Sequence, residues 1–364
     1  MKVLSLFDGI SCGRLALERA GIPVEKYYAS EIDKYAIAVA QKNYPDTIQI
    51  GDINTVHFTD FMDVDLIIGG SPCQDLSIAK QNREGLRGAR SGLFWRYVDA
   101  LATIRPKYFL LENVASMRNE DRDAITETLR KIYPETECIM INSALVSAQQ
   151  RKRYYWTNWH VEQPQDKGIL LKDILESGIN ASQNLTSKYG TKGVCSETGK
   201  AKTLTASCHK GYGNDGCTLV AVPCALRTRE DETGKYKRLE TKSDNKANSL
   251  TSVQTDSMVA EPVRVGNLEG LGKGQANRIY SVRGKSVCLN ANGGGGDAKT
   301  GLYKVDLPDG DYIIRKLTPI ECERLQTLPD NFTAGVSNTQ RYKAIGNGWT
   351  VDVIAHILKG VADA

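Results

Sequence analysis

Short apolar runs of strand length recur through residues 1–165, each followed by a segment whose apolar positions fall at helical spacing. Val3-Leu4-Ser5-Leu6-Phe7 predicts a buried strand, and residues 14–20 a short helix with Gly21 as its C-terminal cap. Residues 26–30 and 34–43 repeat the pair, the second helix stopping before Pro45. The rhythm continues with apolar stretches at 66–68, 108–111, 138–141 and 154–156, and helical patterns at 94–103 and 122–132. Alternation of this kind predicts a mostly parallel sheet covered on both faces, a Rossmann-like α/β domain.

The rhythm breaks after residue 165. Residues 188–311 are rich in Gly, Thr, Ser, Asn and Lys and carry short β-like stretches without a long helical pattern. A weak repeat appears in Lys202-Thr203-Leu204-Thr205-Ala206, Ala247-Asn248-Ser249-Leu250-Thr251-Ser252 and Ser286-Val287-Cys288-Leu289-Asn290-Ala291. Each copy precedes a hydrophobic stretch (217–222, 257–260, 302–305), which predicts repeated β-hairpin units in a smaller, mainly β domain. Helical signals return at Thr318-Pro319-Ile320-Glu321, with Thr318 as N-cap, Pro319 at the first position and Glu321 completing a capping box. A last helix is expected at 351–358. The expected organisation is therefore a catalytic domain at 1–165, a β domain at 166–311, and a segment at 312–364 that completes the first domain.

Composition narrows the class without naming an activity. The chain has 364 residues, 41% hydrophobic and 25% charged, as a folded soluble protein does. No apolar run reaches the ~20 residues of a membrane span. The start moves straight into a strand pattern without signal-peptide anatomy, so no membrane association is expected. Nine cysteines lie scattered without paired spacing, which points to a reducing, cytoplasmic compartment. The gaps among Cys195, Cys208, Cys217 and Cys224 do not match a zinc-binding repeat, and no metal site is expected. A net charge of +4 does not by itself announce nucleic acid.

Candidate chemistry sits at the strand ends. Phe7-Asp8-Gly9-Ile10 lies between the first strand and first helix, where a glycine turn lets backbone N–H groups approach a ligand. Glu31 follows the second strand at the spacing of an acid that accepts ribose hydroxyls, and Asp52 in Gly51-Asp52-Ile53 could accept from an adenine amino group. Without a full G-x-G-x-x-G, a single nucleoside is favoured over a dinucleotide. Ser71-Pro72-Cys73-Gln74 follows the apolar run 66–68, so a cysteine pinned by proline stands where a buried strand opens into a polar loop. This thiol reads equally as a nucleophile or as a small buried hydrophobe. Glu112, in Leu111-Glu112-Asn113-Val114, is expected at the same sheet edge. Gln149-x-Arg151-x-Arg153 puts two arginines on one face of an extended segment.

The ordered set Phe7-Asp8-Gly9, Glu31, Gly51-Asp52, Pro72-Cys73-Gln74, Glu112-Asn113-Val114 and Gln149-x-Arg151-x-Arg153 resembles the cytosine-C5 methyltransferase family. Thr318-Pro319-x-Glu321 within residues 315–326, and Ala344-Ile345-Gly346-Asn347, extend the resemblance over all but the central region. Phrases around residues 5–10 and 71–77 look closest to the catalytic domain of animal de novo methyltransferases, while the lack of a long regulatory extension is more like a bacterial or bacteriophage enzyme. Two departures stand out: Ser11-Cys12 replaces a second glycine pair, and Gly348-Trp349-Thr350 replaces the more usual small-apolar-Pro continuation.

The resemblance implies a DNA (cytosine-5)-methyltransferase using S-adenosylmethionine and leaving S-adenosylhomocysteine, with the β domain reading target sequence in double-stranded DNA. It implies Cys73 as the nucleophile on cytosine C6, with Gln74 beside it. Glu112 would hold N3 and the exocyclic amine, Arg153 the cytosine oxygen or its phosphate, and Arg151 would help orient the carboxylate. Cofactor contacts are expected from Phe7, Asp8, Gly9, Ile10, Glu31, Ile32, Asp52, Ile53, Pro72 and Asn347. The basic stretch 74–92 with its glycines is expected to close over DNA, using Ser77, Arg83, Arg87 and Arg90. Lys273, Asn277 and Arg278 are expected to touch DNA from the central domain. The chain is expected to act as a monomer with no obligate protein partner, in restriction-modification or phage self-protection. A tRNA cytosine methyltransferase is the alternative within the family.

Overall fold

The computed structural model describes residues 1–71, 92–176, 224–231, 234–241, 264–267, 278–289, 302–306, 312–315 and 317–362. Seven strands form the main sheet: β1 (Lys2–Leu6), β2 (Lys26–Ser30), β3 (Ile48–Gln49), β4 (Leu66–Gly70), β5 (Tyr108–Val114), β6 (Glu137–Asn142) and β7 (Lys152–Thr157), in the order β3-β2-β1-β4-β5-β7-β6. The first five run parallel, and β7 is antiparallel to both its neighbours.

Alternation along the strands builds two cores. Val3, Leu66, Ile68, Leu110 and Tyr155 face one side, against α1 (Cys12–Arg19), α2 (Lys34–Asn43) and α7 (Val351–Ala362). Leu4, Leu6, Ile67, Phe109, Leu111 and Trp156 face the other, against Phe94, Tyr97 and Leu101 of α3 (Gly92–Ile104) and Ile125 and Leu129 of α4 (Asn119–Arg130). Each strand is apolar on both faces because each face is covered, as a doubly wound sheet requires.

The sequence expectations hold for most of these elements, with local shifts. The first strand stops at Leu6 because Phe7 turns left-handed (φ 61°), and α1 starts at Cys12, two residues before the expected helix. The capping box on α5 (Pro319–Leu325) forms as expected: Thr318 Oγ1 accepts from the Glu321 N–H at 3.1 Å, and Glu321 Oε2 accepts from the Thr318 N–H at 2.8 Å. The sequence pattern misses α6 (Asn338–Asn347), which buries only Ile345 and Gly346 and so shows no apolar stripe.

The chain divides into two compact units, Met1–Asn180 with Val259–Ala364, and Ala181–Met258. In the second, β8 (Cys224–Asp231) and β9 (Gly234–Thr241) form an antiparallel hairpin. In the first, β10 (Arg264–Asn267), β11 (Arg278–Ser281), β12 (Leu302–Asp306) and β13 (Tyr312–Arg315) form a four-stranded sheet in chain order. Tyr303, Val282 and Leu289 pack with Leu317, Cys322, Leu325 and Ile345 in a third core.

The third copy of the sequence repeat is not a hairpin strand. Ser286 makes a parallel bridge to Gln149, and β12 pairs with β11 and β13 instead. Lys285 explains the difference. Its ammonium is buried and donates to the carbonyls of Ala144, Ser147 and Ile169, which anchors this stretch beside β7. The other two copies, 202–206 and 247–252, lie outside the described residues, as do 217–222 and 257–260. Among the described residues, no helix is long and apolar enough to cross a membrane.

Candidate active site

Strand order fixes where a ligand crevice opens. From β1 the chain winds outwards through β2 to β3, and from β4 it winds the other way to β5. The carboxyl ends of β1 and β4 therefore flank the point where the winding reverses, the usual binding crevice of such sheets. Register brings Leu6 beside Gly69, and Gly70 beside Glu112. The β1 turn, the exit of β4 towards Pro72-Cys73, and Glu112 thus share one edge.

The β1 turn is built by unusual backbone. Phe7 (φ 61°), Gly9 (φ 61°) and Ser11 (φ 59°) are all left-handed; glycine takes this conformation freely, but at Phe7 and Ser11 it is strained and is kept only where surroundings impose it. Asp8 supplies part of that constraint. Its Oδ1 accepts from the Tyr27 hydroxyl at 2.8 Å and its Oδ2 from Ser11 Oγ at 2.5 Å, so the carboxylate points inwards. Burial pushes the Asp8 carboxyl up, against the hydrogen bonds from Ser11, Ser5 and Tyr27. Asp8 shapes the turn from beneath, while Ile10 is buried outright.

Glu31 ties the turn to the end of β2. Oε2 accepts from the Gly9 N–H at 2.8 Å, and Oε1 accepts from the N–H groups of Ile32 and Asp33, each at 2.8 Å. A carboxylate has about four acceptor positions, so Oε2 keeps one for a ligand. Next to it Ile32 is 75% exposed, an apolar side chain held out into solvent at the sheet edge. Asp52 caps a 3-10 turn through the Asn54 N–H at 2.9 Å, with Ile53 buried behind it. An acid with a free lone pair, an exposed aliphatic and a second acid at successive strand ends fit a nucleoside's ribose, base face and amino group.

Glu112 is 9% exposed and held at both oxygens. Arg153 Nε lies 2.9 Å from Oε1, and Trp349 Nε1 donates to Oε2 at 3.1 Å. β7 pairs Tyr155 with Glu112 and Arg153 with Val114, which sets Arg153 diagonally across from Glu112 on the same face. Asn113 Nδ2 donates to Ser71 Oγ at 3.2 Å, pinning the residue before Pro72 to β5. Arg151 makes its hydrogen bonds away from Glu112. Buried, it donates to the carbonyls of Gly348 at 3.0 Å, Gly346 at 3.3 Å and Leu289 at 3.4 Å. Its guanidinium serves the α6–α7 turn, not the carboxylate directly. The reason is geometric: Arg151 precedes β7, so its side chain projects past the sheet edge where that turn crosses.

Two further groups were not legible in the sequence. Trp349 looked only like a departure from a motif. Cys288 Sγ accepts from Arg151 Nη1 at 3.5 Å, and although partial burial pushes its thiol up, the guanidiniums of Arg151 and Arg153 outweigh this and bring it down. Asn347 ends α6 with an exposed side chain. Arg278 opens β11, half-buried. Pro72, Cys73, Gln74, Ser77, Arg83, Arg87, Arg90, Lys273 and Asn277 lie outside the described residues.

A doubly wound sheet with acids at the ends of β2 and β5, the latter held at both oxygens one strand from the switch point, has the form of an α/β enzyme domain with its crevice at that edge. The family described as C-5 cytosine-specific DNA methylase matches residues 1–362, and the chain belongs to that family. It is a DNA cytosine-C5 methyltransferase. The chain is 27% identical over 447 aligned positions to the orphan methyltransferase M.SPRI of Bacillus phage SPR, covering 99% of this chain and 97% of that one. It is 26% identical over 379 positions to the type II methyltransferase M.HhaI of Haemophilus parahaemolyticus, covering 100% and 95%. The fold is similar to that of the Entamoeba histolytica methyltransferase EhMeth, with a TM-score of 0.66 at 15% identity, covering 100% of this chain and 98% of that one.

Proposed function

We propose that this chain methylates C5 of a cytosine turned out of a specific duplex DNA sequence, through a transient bond between Cys73 and C6. S-adenosylmethionine supplies the methyl group and leaves as S-adenosylhomocysteine. Glu31 would hold its ribose and Asp52 its adenine amino group, with Ile32 and Ile53 at the base and the Phe7–Ile10 turn, Pro72 and Asn347 around the rest; Asp8 would act by shaping that turn.

Cytosine C5 is a poor nucleophile, and covalent addition at C6 is what makes it enamine-like. The Cys73 thiolate would add to C6 while a proton held between Glu112 and N3 moves onto N3 as negative charge develops there, the other carboxyl oxygen accepting from the exocyclic amine. Loss of the C5 proton and departure of the Cys73 thiolate then restore the aromatic ring. Gln74 would stand beside the thiol and Arg153 would reach the cytosine oxygen or its phosphate. C6 is inaccessible within a stacked duplex, so the base must leave it. Ser77, Arg83, Arg87 and Arg90 would line the closing loop, and residues 166–311, with Lys273, Asn277 and Arg278, would read the target. The same reading makes the chain a cytoplasmic monomer of a bacterial or phage-infected cell.

The observation that carries this is the placing of Glu112: held at both oxygens, it adjoins Gly70, from which the chain runs directly to Pro72-Cys73. A 5-fluorocytosine duplex tests it, because the missing C5 proton blocks release of the enzyme. Wild-type protein with S-adenosylmethionine should form a covalent complex mapped to Cys73, and Cys73→Ala should form none while still binding the cofactor. Label entering tRNA alone, or a trapped complex with Cys73→Ala, would overturn the assignment.

A further inference from the structure

Glu112 receives its second hydrogen bond from far along the chain. Trp349 lies 237 positions away, in the turn between α6 and α7, yet its indole N–H reaches Oε2. Nothing in β5 or its neighbouring strands requires that contact, since Arg153 already neutralises the carboxylate from β7.

Three features of the structure are organised around the indole. The first is space. A Cβ on Gly70 would stand 2.9 Å from Trp349 Nε1 and 2.7 Å from Glu112 Oε2, and one on Gly13 would stand 3.4 Å from Trp349 Cζ3. Side chains at 70 would push the two groups apart.

The second is the backbone that carries the ring. The Gly348 carbonyl accepts from Arg151 Nη2 at 3.0 Å and Gln326 Nε2 at 3.2 Å. On the other side Thr350 Oγ1 donates to Gln326 Oε1 at 2.7 Å and accepts from Ser143 Oγ at 2.9 Å. Trp349 is thus clamped between two anchored neighbours. The third is chemistry. An indole N–H can only donate, so it accepts nothing from a substrate and competes for no proton.

We infer that Trp349 is a positioning residue for Glu112, and that Arg151 acts on the carboxylate at one remove, through the Gly348 carbonyl. Two donors from opposite sides fix the plane of the carboxylate, where one would leave it free to turn about its own axis. On the remaining edge one oxygen would accept from the exocyclic amine of cytosine and the other would share a proton with N3. Misplacement of a reacting group by a fraction of an ångström is costly in rate. This rests on Glu112 being the group that holds the base.

Trp349→Phe keeps the ring and deletes the donor. Loss of a hydrogen bond to a charged group predicts a single-turnover methyl-transfer rate on duplex DNA lower by about 10-fold or more. KM for S-adenosylmethionine and duplex affinity should stay within about two-fold, because the bound ground state loses no contact. In a Glu112→Gln background the same change should cost much less, since the acceptor charge is already gone. An activity-free readout uses the indole N–H resonance that vanishes in Trp349→Phe, which should shift when Glu112→Gln is introduced. An unchanged rate in Trp349→Phe, an equal loss in both backgrounds, or a resonance indifferent to Glu112→Gln would overturn the inference while wild-type methylation stands. Absence of methyl transfer to DNA by the wild type would overturn the functional reading and this inference with it.

Discussion

Gly70 and Glu112 are register partners on adjacent parallel strands, and the glutamate's Oε2 occupies the space a side chain at 70 would need. Gly70→Ala should therefore act on the reaction more than on the fold. Its Cβ would meet Oε2 and the Trp349 indole together, so Glu112 must leave its two donors. We expect methyl transfer to fall by at least about 10-fold, a barrier increase of ~1.4 kcal/mol, while cofactor affinity and the thermal midpoint change little. Steady-state kinetics beside a thermal melt would check this, and a large drop in melting temperature at normal activity would contradict it.

Arg151 binds three backbone carbonyls from a buried position. Arg151→Met would remove a donor from each of these carbonyls and leave the Gly348 carbonyl to Gln326 Nε2 alone. A loss of ~2–4 kcal/mol in urea-unfolding free energy is expected, together with slower methyl transfer. Arg151→Lys should recover little of either, because an ammonium cannot reproduce the planar fork.

Thiol reactivity should separate by environment. Burial pushes Cys12 up to about 12 and Cys138 up to about 11, and lifts Cys322 well above the ordinary thiol range. Cys288, exposed as a residue and flanked by Arg151 and Arg153, is brought down. Alkylation requires the thiolate, so lowering a thiol's pKa moves half-maximal labelling to lower pH. Among these four, Cys288 should label first in iodoacetamide titrations read by peptide mass spectrometry, and its lead should shrink in Arg151→Met.

DNA affinity should fall steeply with salt. Contacts to several phosphates release condensed counterions, with a slope of roughly 0.9 per phosphate in log affinity against log salt. Fluorescence anisotropy with a labelled duplex between low and moderate salt would measure it. A flat response would exclude extensive phosphate contact.

Much of the candidate site was readable because its acids follow strand-length stretches of the βα rhythm. Glu112 stands just past the apolar run 108–111, Glu31 past β2 and Asp52 past the two-residue β3, and a parallel sheet sends those ends to one edge. What was not readable depended on residues distant in the chain. The resemblance implied that Arg151 helps orient the Glu112 carboxylate, and the i, i+2 spacing put it on one face with Arg153. The strand, however, begins at Lys152, and past its end the guanidinium finds the α6–α7 turn. Helix α6 went unmarked because it buries too little apolar surface to leave a periodic trace.

The amino-acid order alone determined the doubly wound sheet, the edge at which the candidate acids gather and the family, since each depends on local periodicity and on motifs a few residues long. Only the tertiary structure decided which donors hold Glu112, where Arg151 spends its hydrogen bonds, and why Gly70 must lack a side chain. Those are distances between groups as much as 237 positions apart, and no local pattern records them.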